Sequence, residues 1–146
     1  CDVVAARGQI SAAIADLSPL NPKRTLPEAY HCSLETLPKP EFKQPRDLPP
    51  WADIFSEFCI FVRPNGPEEE AQFLTWVDDL LQIHCAHAAN ALPVSREKQA
   101  EIIASQHYYC SKQRQNDKTR RVLEKAFGVE WAENYMTSVL FDLPGT

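Results

Sequence analysis

Between Lys112 and Lys125 the chain reads KQRQNDKTRRVLEK: six basic side chains (Lys112, Arg114, Lys118, Arg120, Arg121, Lys125) against two acidic ones (Asp117, Glu124), in a protein of formal net charge −5. So many cations in an acidic chain imply an anionic target. Asp117 can cap a helix here, which sets Lys118 and Arg121 at its N-terminal turn, where backbone N–H groups already favour a carboxylate. Arg46, braced among prolines, is a second candidate carboxylate ligand. The competing reading is a solvated helix face laced with ion pairs such as Asp117 with Arg121.

Asp2 is an ionisable group inside the apolar, β-branched run CDVVAA. Buried there, a carboxyl loses solvation, its pKa rises, and it can give and take protons near neutral pH. Facing water from an edge strand it is an ordinary aspartate, and pattern alone favours that reading, because perturbed carboxylates are a minority. HCAHA sets His84 and His87 three apart on one helix face with Cys85 beside them, a spacing that binds a metal when another element adds ligands. His84 also falls in an apolar stripe, which favours a packed core histidine, and Cys85 points to another face. No metal site is expected.

Other chemistries lack their signatures. No Gly-rich phosphate loop, nucleophile elbow or H-E-x-x-H helix occurs, so hydrolase and nucleotide-binding classes have no support. The five cysteines (Cys1, Cys32, Cys59, Cys85, Cys110) are spread widely with no C-x-x-C pair. They suggest neither a disulfide framework nor a zinc ribbon, and fit a reducing cytoplasm. No apolar run reaches the roughly eighteen residues of a membrane span, and no basic-then-apolar leader is present, so a soluble protein is expected. The acidic total argues against nucleic-acid binding by the surface as a whole. With 146 residues and 44% hydrophobic content the chain suits one ordinary domain with a packed core.

The elements that must position these residues fall into two groups. Cys1 to Ala5 and Ile10 to Leu17 read as strands of a hairpin turning at Gly8. In the second, small residues alternate (Ser11, Ala13, Ala15 against Ala12, Ile14), so that something bulky can approach one face closely, or two layers simply pack tightly. PEAYHCSLETL forms a short helix from Pro27 to Leu37. The proline-rich PKPEFKQPRDLPPW blocks helix and central strand and reads as an extended strap. A buried strand is expected from about Ser56 to Val62. From Pro67 the chain turns helical, with three glutamates at the positive end of a helix dipole. Phe73, Val77, Leu80, Leu81, His84 and Ala88 form its apolar stripe, widened by Trp76 and Ile83. Ser95 starts a second long helix reaching to about Gln115. Asp117 starts a third, with Val122, Leu123, Ala126 and Phe127 inward and Gly128 as its stop. Trp131, Tyr135 and Val139 mark a fourth that ends near FDLPG. Strands followed by helices predict α/β architecture of the α+β kind. Three strands are too few to cover four such helices, and CDVVAA reads as a strand already under way, so further strands are expected upstream.

Four blocks, SAAIADLSP, LPPWADIFSEFCIFVRP, QNDKTRRVLEKAFG and WAENYMTSVLFD, in their order and spacing, resemble the C-terminal part of the ferredoxin-dependent bilin reductases. The likeness covers essentially the whole chain. Many members follow Asn-Asp with proline; Lys118 after Asp117 is similar to the branch that forms phycocyanobilin. The resemblance implies a three-layer α/β/α sandwich with a central antiparallel sheet, here lacking its N-terminal strands, with strands over 1–62 and a helical layer over 67–141 of a single domain. It implies that biliverdin IXα lies between sheet and C-terminal helices and is reduced by four electrons to phycocyanobilin. Single electrons come from reduced ferredoxin, each matched by a proton, with no bound metal, flavin or nicotinamide, in a monomer. By the same resemblance Asp2 is the catalytic proton donor and Arg46, Ser11 and Lys118 hold the two propionates. Asn116 and Asp117 face the bilin, and Val122, Leu140 and Phe141 close the pocket. The anions sought by the basic run are then propionates on its inner side and acidic ferredoxin on its outer side.

One departure stands out. The family also uses a histidine and a glutamate on strands upstream of the aspartate, and none of His31, His84, His87 or His107 matches that histidine. A molecule beginning at Cys1 would have an incomplete proton relay and little catalysis. A different class, a helical module binding an acidic protein through its basic stripe without chemistry of its own, predicts no effect on bilin absorption. RNA binding by the Arg/Lys run beside Tyr108 and Tyr109 ranks last and predicts steep salt dependence.

Overall fold

The computed structural model describes residues 1–143. It contains a three-stranded antiparallel sheet in the order β1-β2-β3 and several helices, a mixed α+β architecture. Two compact units are described in turn: the first takes in 1–19, 24–50 and 55–93, the second 20–23, 51–54 and Val94 onward.

In the first unit β1 (Asp2–Ala6) and β2 (Gln9–Ala15) form the expected hairpin. Ala6 pairs with Gln9 across a two-residue turn in which Arg7 and Gly8 both have positive φ (54° and 75°), the type I′ geometry that matches strand twist. Val4 pairs with Ala12 but Ala5 with Ile10, so Ser11 is the extra residue of a β-bulge. Strand β3 (Ile60–Val62) pairs with Ala13 to Ala15 and is shorter than the sequence indicates. The chain at Ser56 is held by the Asp16 carboxylate instead of by a ladder: Ser56 N–H donates to both Asp16 oxygens at 3.2 and 3.1 Å, and Ser56 Oγ–H to Oδ1 at 2.5 Å.

Helix α1 (Glu28–Glu35) packs on α2 (Pro67–Ala89), with Tyr30 stacked on His87 at 4.3 Å between centroids. Phe73, Trp76 and Leu80 of α2 join Leu34, Ile60 and Val62 in the core, against Ala13 (1% exposed) and Ala15 (2%). On this face the small residues of β2 admit the protein's own helix, as in ordinary tight layer packing. Beyond Leu80 the expected stripe runs out: Leu81 and His84 are exposed, because the short α1 covers only part of the α2 face. His84 is thus a surface residue, its Nδ1 at 3.2 Å from Tyr30 Oη, and not a core histidine. Of the three glutamates opening α2, Glu69 is buried, accepting from Lys43 N–H at 3.3 Å and Asn65 N–H at 2.9 Å. It ties the strap to the helix. The strap also runs along β3, with Arg46 N–H donating to Phe61 O and Arg63 N–H to Gln44 O, both at 2.9 Å.

In the second unit α3 (Arg96–Gln113) starts at Ser95, whose Oγ accepts from Lys98 N–H at 3.1 Å. The cap of α4 (Asp117–Phe127) is Asn116, one residue earlier than expected, its Oδ1 accepting from Thr119 N–H at 3.3 Å. Asp117 is the first helical residue. Gly128, at φ 92° and ψ 161°, a conformation other residues avoid, ends α4 and opens α5 (Val129–Tyr135). A π-helical turn over Met136–Leu140 follows, with Met136 and Ala132 buried. The expected stop near FDLPG falls at Phe141; Pro144 and Gly145 lie outside the described residues. Of the inward face expected for α4, Leu123 is half-buried, but Val122 is 65% and Phe127 60% exposed, and Ala126 is exposed too. Its amphipathic pattern finds no covering layer within this unit. Phe127, Trp131 and Tyr135 form an aromatic ladder at 4.4 and 4.7 Å along α4 and α5.

Candidate functional site

The basic run divides into two sets. Arg114 is structural: Nε and Nη2 donate to Phe141 O at 3.2 and 2.9 Å, and Nη2 also to Thr137 O at 3.0 Å, clamping the π-helical turn onto the end of α3. Arg120 pairs with Glu133 of α5 and also reaches Arg114 O at 3.3 Å. Lys112 lies 3.2 Å from Asp53, which also accepts from Tyr108 Oη–H at 2.6 Å. The hydrogen bonds with Tyr108 and Asp53 raise the Lys112 pKa above that of an ordinary lysine. Lys118, Arg121 and Lys125 are exposed, and the ion pair of Asp117 with Arg121 is not among those formed by the described residues. The cations available for an external anion are therefore these three on α4.

In the first unit the structure brings Ser11 and Arg46 together. The bulge turns the Ser11 carbonyl outward and Arg46 Nη1 donates to it at 3.0 Å, while the guanidinium lies 5.4 Å from the Phe61 ring centroid. Of the five donors of a guanidinium, this uses one. Arg46 is exposed, its backbone fixed on β3, so the rest of the fork is presented in a set direction. The Ser11 hydroxyl gives its proton to Val4 O at 2.9 Å, so a carboxylate bound there must draw that proton away.

Asp2 stands exposed on β1, paired with Ile14, at an end of the sheet. A carboxyl with a raised pKa is found elsewhere: Asp16, just past β2, is half-buried, and desolvation raises its pKa against the opposing hydrogen bonds from Ser56 and Ser18. Its neighbour Cys59 is pushed up to about 12 by burial and by the Asp16 charge. Both were missed in the sequence, because the partners that hold Asp16 at Ser56 lie 40 residues away.

The remaining candidates lie in the second unit. Asn116 spends Oδ1 on the cap and keeps its Nδ2 donors; Asp117 and Lys118 are exposed on the first turn of α4. Val122 and Leu140 are exposed and Phe141 half-buried. Arg114, which positions Leu140 and Phe141, was read only as part of an anion site. Among the described residues no group of three or more His, Cys, Asp or Glu side chains is arranged to hold a metal ion, and no helix is long and apolar enough to cross a membrane.

The family model of the ferredoxin-dependent bilin reductases matches residues 1–142. A phycocyanobilin:ferredoxin oxidoreductase of Trichodesmium erythraeum is 59% identical over 143 residues, 98% of this chain and 58% of the relative. The protein of the same name from Synechococcus elongatus is 56% identical over 144 residues, again 98% of this chain and 58% of the relative. The chain thus spans somewhat over half the length of the curated relatives it matches. On this evidence the chain belongs to the ferredoxin-dependent bilin reductase family.

Proposed function

We propose that the chain is part of an enzyme that reduces biliverdin IXα to phycocyanobilin, taking four electrons one at a time from reduced ferredoxin and four protons from the protein and solvent. The observation that carries this reading is the similarity to relatives named phycocyanobilin:ferredoxin oxidoreductase along nearly the whole chain. Such an enzyme needs carboxylate ligands, a proton source and a surface for its reductant. The substrate itself accepts the electrons, so the reading calls for no resident flavin, nicotinamide or metal. It calls for a three-layer α/β/α sandwich acting as a monomer, in a reducing cytoplasm where five unpaired cysteines persist.

In this reading Arg46, Ser11 and Lys118 hold the two propionates, and the free fork of Arg46 supports the assignment. Asp2 donates protons to the bilin as electrons arrive. Its exposure leaves the carboxyl accessible to a bilin from the solvent side. Asn116 offers amide donors to the bilin and Asp117 stands beside it. Val122, Leu140 and Phe141 supply apolar walls, and the exposure of Val122 and Leu140 supports a face awaiting an apolar ligand. Arg121 and Lys125, left exposed on α4, draw in an acidic ferredoxin.

The test is spectroscopic. Biliverdin IXα is added anaerobically to this chain joined to the remaining length found in the relatives, followed by ferredoxin and a reductant. A perturbed bilin spectrum, then formation of phycocyanobilin, supports the reading. Unchanged absorption, with retained binding of an acidic protein, favours an interaction module instead.

A further inference from the structure

The helix that follows Gly128 changes register before it ends. Met136 N–H still donates to Ala132 O, the α pattern, whereas Phe141 N–H passes over Thr137 O and donates to Met136 O at 3.1 Å. One extra residue is thereby taken into the π-helical turn Met136–Leu140. The shift releases the Thr137 carbonyl, which an unbroken α-helix would pair with Phe141 N–H. Arg114 takes it: Nη2 lies 3.0 Å from Thr137 O and 2.9 Å from Phe141 O, and Nε 3.2 Å from Phe141 O. Arg114 is itself fixed, its N–H donating to Cys110 O at 3.0 Å and its carbonyl accepting from Arg120 Nη2 at 3.3 Å, while Arg120 pairs with Glu133. Without the guanidinium, Thr137 O regains a backbone partner when Phe141 N–H slips back to it. Met136 is buried and anchors the start of the turn, so the slip falls on Leu140 and Phe141, which rotate by about one residue's step, ~100°, round the helix axis.

From the released carbonyl and the fork that receives it we infer that Arg114 is a positioning residue: it selects the π register and so decides which side chains of the last turn stand against the bilin. The inference rests on the reading in which Leu140 and Phe141 wall the bilin.

The test compares Arg114→Lys with deletion of Ser138, in the polypeptide of the relatives' length, by visible titration with biliverdin IXα and with folding checked by circular dichroism. Lysine keeps the charge but not the planar fork, and should weaken binding about tenfold, the contact of one apolar side chain. Ser138 is exposed, and its deletion makes Phe141 N–H to Met136 O an ordinary α-helical bond, leaving Leu140 and Phe141 where they are with Arg114 no longer needed to hold them. The deletion should therefore leave binding unchanged by itself and restore it in Arg114→Lys, a rescue that a merely stabilising arginine would not show. Parent-like binding by Arg114→Lys, or no rescue by the deletion in a folded protein, overturns the inference. Should the deleted chain not fold, a crystal structure of Arg114→Lys decides: Phe141 N–H on Thr137 O supports the inference, and on Met136 O overturns it. A parent polypeptide that leaves bilin absorption unchanged refutes the bilin reading itself and this inference with it, whereas a parent that binds as tightly as Arg114→Lys refutes this inference alone.

Discussion

Cys59 and Asp16 show how one burial event sets two titrations in opposition to ordinary chemistry. An ordinary thiol ionises near 9.0, and Cys59 near 12, so its thiolate is about a thousandfold scarcer at neutral pH. Iodoacetamide at pH 8 should therefore label exposed Cys32 and Cys85 at least about a hundredfold faster than Cys59, as read by peptide mass mapping. For Asp16 the sign follows from its raised pKa: the folded state holds the proton more tightly than the unfolded chain, whose aspartate ionises near 3.8. Its contribution to stability is full below that value and is lost as pH rises through the folded pKa. Urea unfolding over a pH series should show Asp16→Asn losing that part of the dependence: the deficit of the variant against the parent should be greatest in acid and shrink as pH rises above 3.8. Asn cannot accept from Ser56 with two equivalent oxygens, so the variant remains less stable wherever those bonds dominate.

At the scale of elements, the start of α4 and the clamp on the π-helical turn carry separate expectations. Asn116→Ala removes the acceptor for Thr119 N–H and should cost about 1 kcal/mol. Asp117→Ala loses only a favourable charge at the first helical position and should cost about 0.5 kcal/mol. Urea midpoints with unchanged m-values check both. Arg114→Ala strands the carbonyls of Thr137 and Phe141 and should cost about 2–3 kcal/mol, with protease cleavage appearing first around Met136–Leu140. The sequence placed these helices well because Ser95, Pro67 and Gly128 are local signals acting through nearest-neighbour sterics and hydrogen bonds. It misplaced the length of β3 because Ser56 is captured by a carboxylate 40 residues away, which no local pattern contains.

For the whole molecule, the anion-directed chemistry makes the decisive prediction. Arg46→Gln keeps the strap, whose backbone bonds to Phe61 and Gln44 do not involve the side chain, and should weaken bilin binding about tenfold or more in the polypeptide of the relatives' length. Unfolding should be little altered, and visible titration with biliverdin gives the affinity. By itself the sequence determined the family, the mixed α+β make-up with its long helices after β3, and the hairpin turning at Gly8. Each depends on a local conformational rule or on residues that keep their order and spacing along the chain. Only the tertiary structure decided which cations of the basic run are exposed and which carboxylates are withdrawn from water. The donors of Arg114 are engaged by carbonyls and the charge of Arg120 is paired with Glu133, Glu69 is buried and Asp16 partly withdrawn from water while Asp2 is exposed, and Val122 and Phe127 of α4 stay exposed. The reason is physical: solvation and pairing depend on distance in space, and a side chain's nearest charges and its access to water are set by segments that the chain brings together only on folding.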